Sequence, residues 1–84
     1  MTNEEQAKKV QQRIDQARRS IALWRAEHEK HNDASSLRLL ANALIYAAGA
    51  VGSLYLVGLV DDALGEESDQ WRDEAHALQS APKV

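Results

Sequence analysis

The sequence predicts an all-α protein: a long N-terminal amphipathic helix, a short turn, a long apolar second helix, and a short acidic C-terminal helix or extension. Three observations carry this. Apolar positions in the first 31 residues recur at alternating spacings of three and four. Residues 39–60 form a nearly unbroken apolar run. Strand-type alternation is confined to Ser53-Leu54-Tyr55-Leu56-Val57, too short and too isolated to build a sheet.

The first zone, residues 1–36, holds the clearest period. Ala7, Val10, Ile14, Ala17, Ile21, Trp24, His28 and His31 trace a heptad seam on one face of a helix over residues 3–31. The positions between are mostly Gln, Glu, Lys, Arg and Ala, which are good helix formers. Thr2 and Glu5 stand at capping-box spacing. The seam is narrow and contains alanines, so its partner helix must come close. A parallel homodimer through this seam would set Arg13 against Arg18 of the other copy, so an antiparallel helix or a helix of another protein is the better partner. His31-Asn32-Asp33-Ala34-Ser35-Ser36 reads as a turn, with Ser35 or Ser36 capping the next helix.

The second zone, residues 37–60, has a mean hydropathy of roughly 1.9 between positions 39 and 60, and about 22 residues suffice to cross a hydrocarbon layer of about 30 Å. Its glycines and alanines, with Asn42 and Ser53, leave insertion only marginally favourable. The flanks are asymmetric. Arg18, Arg19, Arg25, Lys30 and Arg38 precede the run, whereas only Arg72 and Lys83 follow it, among Asp61, Asp62, Glu66, Glu67, Asp69, Asp73 and Glu74. A span would therefore place the N-terminus in the cytoplasm. The start, Met-Thr-Asn-Glu-Glu, lacks the basic region of a signal peptide.

In the third zone, residues 61–84, Ser68 is a candidate cap for a helix whose face carries Trp71, Ala75 and Leu78, ahead of a frayed Ser80-Ala81-Pro82-Lys83-Val84 tail. Alternatively the apolar helix continues through Asp61 and Asp62, because carboxylates at a helix C-terminus oppose its dipole.

Composition bounds the function. Eighty-four residues make one small domain, and 44% hydrophobic against 27% charged residues is a folded composition. A net charge of −3, from 10 basic and 13 acidic residues, argues against nucleic acid. The basic stretch Lys8, Lys9, Arg13, Arg18, Arg19 is interleaved with acids and lacks stacking aromatics. With no Cys there is no disulfide, thiolate metal site or cysteine nucleophile. Glu27, His28, Glu29, His31 and Asp33 look metal-like, yet the histidines are three apart rather than the four of H-E-x-x-H. No catalytic constellation is present, and neither a cofactor nor a small-molecule substrate is expected.

The candidate interaction site is a stripe on the apolar helix. Asn42, Tyr46, Gly49 and Ser53 fall on one face, and Ala48/Gly52 and Gly49/Ser53 are small-x-x-x-small pairs that permit close helix approach. Two functions follow. One is a non-enzymatic single-span membrane protein, an accessory or assembly subunit docking through Asn42, Tyr46, Gly49, Gly52 and Ser53. The other is a soluble helical hairpin that hides its apolar surplus by self-association or against a target, acting as adaptor, chaperone or inhibitor.

Overall fold

A computed structural model describes residues 3–80, so Thr2 and the tail beyond Ser80 lie outside the described residues. Among the described residues the fold is all-α, with three helices: α1 (Asn3–His31), α2 (Ala34–Leu56) and α3 (Asp62–Gln79). They run up, down and up, and form a rod of 51 × 20 × 15 Å. α2 is the central element. α1 and α3 both pack along it, and meet each other only through side chains.

The heptad seam of α1 faces α2 from Val10 to Trp24, while Ala7 and His31 at its ends are exposed. Ile14, Ala17 and Ile21 are buried, and Val10 and Trp24 close the two ends half-buried. Opposite them lie Leu40, Leu44, Ala47, Ala48 and Val51, and α3 completes the core with Trp71 and Ala75. The alanines let the helices approach closely, as the narrow seam requires. Leu78 packs at the edge of the same core.

The connections differ from the sequence expectation at three points. First, the cap of α2 is Asp33, not Ser35 or Ser36. The Asp33 carboxylate accepts from the Ser36 N–H at 2.8 Å, and the Ser36 hydroxyl oxygen accepts from the Asp33 N–H at 3.3 Å, a reciprocal capping box. The hydrogen bond from the Ser36 backbone N–H foremost, and the Ser36 side chain second, hold the Asp33 carboxyl below its ordinary range. Asn32 turns the chain in the left-handed region at φ 47°, which Asn tolerates.

Second, α2 stops at Leu56 rather than running to residue 60. Gly58 at φ 78° lets the Leu59 N–H donate to the Leu54 carbonyl (2.9 Å) and its own N–H donate to the Tyr55 carbonyl (3.0 Å). This pair of bonds is the Schellman motif, which satisfies the last carbonyls of the helix. Third, Asp61 and Asp62 open α3, and the apolar helix does not continue through them. Asp61 accepts from the Leu64 N–H at 3.0 Å, so the acids sit where the helix dipole favours them. Ser68 is no cap: it is buried inside α3 and donates to the Gly65 carbonyl at 2.8 Å.

α2 has 23 residues, and an 18-residue stretch of it averages 1.6 in hydropathy, long and apolar enough to cross a membrane. In the packed rod, 44% of that 18-residue stretch is buried.

Candidate functional site

α1 and α3 sit to one side of α2 and are tied to each other across it. Arg18 donates to Glu67 at 2.8 Å, and Arg25 grips Glu74 with two bonds of 2.8 and 3.1 Å. The two arginines are seven residues apart, as are the two glutamates. Parallel helices in one register give that match. The Glu67 hydrogen bond is the main cause that raises the Arg18 pKa. Beneath these pairs, Ile21 and Trp71 floor a shallow groove of about 310 Å³.

With both neighbours on one side, the opposite face of α2 is free. Asn42, Tyr46, Gly49 and Ser53 are all exposed there, and Gly52 is half-buried on the flank facing α3, near Ser68 and Arg72. Two residues extend the stripe beyond its sequence reading. Leu39 lies three positions before Asn42 and Leu56 three after Ser53, and both are exposed. The whole face, Leu39–Asn42–Tyr46–Gly49–Ser53–Leu56, is thus a second heptad seam, alternating threes and fours. The signal is in the sequence, but it is masked because nearly every neighbouring position is apolar too.

This face is large. On the seam Tyr46 is 80% exposed, Leu56 85% and Leu39 42%, and beside it Val57 is 69% and Ile45 40% exposed. At on the order of 150–200 Å² for a large apolar residue, these five leave roughly 500–600 Å² open to solvent. That equals the largest apolar patches on ordinary monomers, about 300–600 Å², which are often functional. The polar atoms on it are few. The Ser53 hydroxyl donates to the Gly49 carbonyl at 2.8 Å, which leaves its lone pairs outward. The Asn42 side chain makes no hydrogen bond among the described residues. A Cβ built on Gly49 meets nothing within 4 Å, so a notch opens beside the protruding Tyr46 ring.

The histidine cluster is dispersed. The Ser36 hydroxyl donates to the Asp33 carbonyl (3.0 Å), and His28 Nδ1 hydrogen-bonds the same hydroxyl at 2.9 Å. His31 Nε2 pairs instead with Glu27 at 3.2 Å. Among the described residues no group of three or more His, Cys, Asp or Glu side chains is placed to hold a metal. Trp24 and Trp71, the two tryptophans, both pack into the helix contacts. The acidic residues of α3 divide: Glu67 and Glu74 pair with α1, and Asp62 accepts from the Tyr55 hydroxyl at 2.9 Å. That hydrogen bond, with the Asp62 charge, raises the Tyr55 pKa.

Comparisons with protein-family models, with curated proteins and with solved structures give no match.

Proposed function

We propose that this chain is a soluble, non-enzymatic helical interaction module that docks on a helix of another molecule through the free face of α2. The exposed seam from Leu39 to Leu56 is the observation that carries this reading. The packing of the flanking helices supports it. A span formed by α2 would place whatever lies alongside it in hydrocarbon, and charged side chains there cost several kcal/mol each. α1 and α3 lie along α2 with Arg18–Glu67 and Arg25–Glu74 between them, an arrangement suited to water. Adaptor, chaperone and inhibitor all act by such surface occlusion, and the partner class is protein rather than nucleic acid or a small molecule.

A second reading is favoured by the length and hydropathy of α2. In it α1 and α3 release α2, which becomes a single span with the N-terminus in the cytoplasm, and the same face joins an assembly of membrane helices. The two readings separate on fractionation. Untagged protein is expressed, the lysate is cleared at high speed, and the membranes are washed with carbonate. The soluble module remains in the supernatant and purifies without detergent. Protein that stays in the washed pellet and needs detergent for release overturns the soluble module in favour of the span.

A further inference from the structure

We infer that the occupant of the free α2 face is a second copy of this chain, packed antiparallel, with the two-fold axis passing between Tyr46 and Gly49. The inference rests on the interaction-module reading and specifies its partner.

The seam is self-complementary in one direction only. Run antiparallel about that axis, Leu39 faces Leu56 of the other copy, Asn42 faces Ser53, and Tyr46 faces Gly49. Each layer matches by size and chemistry. The leucines close the two ends with apolar contact. The Asn42 amide reaches a Ser53 hydroxyl whose proton is already given to the Gly49 carbonyl, so the hydroxyl is free to accept. Tyr46, the large exposed knob, enters the notch at Gly49, where a Cβ would meet nothing. By symmetry every layer occurs twice. The polar layers favour this register, since a one-heptad slip sets Asn42 against Tyr46 or Val60 and separates it from Ser53.

A parallel pair of the same helices fails on the same residues. It stacks Tyr46 on Tyr46 and Gly49 on Gly49, bulk on bulk and void on void, with Asn42 and Ser53 in separate layers. An isologous contact also needs no additional partner surface, because one patch serves both copies. Its size is adequate. The roughly 500–600 Å² of large apolar residues, together with the small and polar positions between them, approaches the roughly 800 Å² per partner of a standard interface.

The chain has no cysteine, so engineered cysteines report the geometry cleanly. Full-length Asn42→Cys and Ser53→Cys are prepared separately, mixed at tens of micromolar and oxidised. Both positions are exposed, so circular dichroism should match wild type. Eleven residues of helix separate the two positions by roughly 16 Å, which rules out a bond within one chain even if both were present. The antiparallel pair predicts a mixed disulfide in the mixture and at least tenfold less dimer from either variant alone. Adding Tyr46→Lys to both partners should reduce the mixed product at least tenfold while the helical signal persists. Self-linked Asn42→Cys would instead show a parallel pair and overturn the inference. So would wild type that sediments as a monomer at several hundred micromolar with no mixed product. That monomer result leaves the soluble module standing with a different protein as occupant, whereas retention in carbonate-washed membranes removes the module itself.

Discussion

Replacing Gly65 with Ala should destabilise the protein, and the same change should stabilise it once Tyr55 is removed. In a helix, Gly→Ala ordinarily gains about 0.8–1 kcal/mol. Gly65 lies in the first turn of α3, beneath the ring of Tyr55. A Cβ there would stand 2.8, 2.9 and 3.0 Å from three ring carbons. Carbon atoms pack comfortably at about 3.5–4.0 Å, so the ring must retreat by roughly 0.7 Å. Its hydroxyl is held at 2.9 Å by Asp62, and one clashing atom is the ring carbon nearest the backbone, so rotation gives little relief. Overpacking of this kind costs about 1–3 kcal/mol, and weakening a half-exposed hydrogen bond adds about 0.5–1 kcal/mol. The net expectation for Gly65→Ala is a loss of about 1–2 kcal/mol. In a Tyr55→Ala background the obstacle is gone, and the substitution should gain up to about 1 kcal/mol. Urea denaturation of the four proteins at one concentration, followed by circular dichroism, closes the cycle. A stabilising Gly65→Ala in the wild-type background refutes the reasoning. Equal losses in both backgrounds refute it too, because the cause would then be the backbone and not the ring.

Leu44 is fully buried, and Leu44→Ala should cost about 2–5 kcal/mol in the same denaturation assay, a large share of the stability of so small a domain. Tyr46→Ala, on the exposed face, should leave the denaturation midpoint of the monomer within about 0.5 kcal/mol. The pairs Arg18–Glu67 and Arg25–Glu74 are half-exposed, so a double-mutant cycle on either should give a coupling of about 1 kcal/mol or less that fades in molar salt. Asp33→Ala should lower the melting temperature at pH 7. Because the folded carboxyl titrates below its unfolded value near 3.8, its contribution is complete above that value and is lost as pH falls through the folded pKa. The gap between wild type and Asp33→Ala should therefore narrow in acid, and a gap independent of pH would contradict the cap's charge.

Much of the fold is legible in the sequence because its strongest signals are periodic. Ile14, Ala17 and Ile21 recur at core spacing within a polar helix, so the face they bury is unambiguous. Trp71 and Ala75 are readable for the same reason. The helix ends are harder. Asp33 competes with Ser35 and Ser36 for one cap, and only geometry shows that Asp33 and Ser36 share it. Gly58 is the sole mark of the α2 terminus, and within the apolar run it resembles Gly49 and Gly52, which the helix simply carries. The free face was half legible. Asn42, Tyr46, Gly49 and Ser53 stand out by being small or polar. Leu39 and Leu56 do not, since an apolar residue among apolar residues carries no direction until the positions of α1 and α3 are known.

The tight turn at Asn32 and Asp33 has a kinetic consequence. Helix pairing through the backbone occurs only between neighbours in the sequence, α1 with α2 and α2 with α3, across connections a few residues long. Little loop entropy is spent before such contacts form. Chains of this low contact order fold on the order of microseconds to milliseconds. The α1–α2 hairpin, prefolded at Asn32 and locked by the Asp33–Ser36 box, can close before α3 arrives. The chain then exposes its apolar helix only briefly, a shorter window for aggregation than a slowly assembled sheet of the same composition would have.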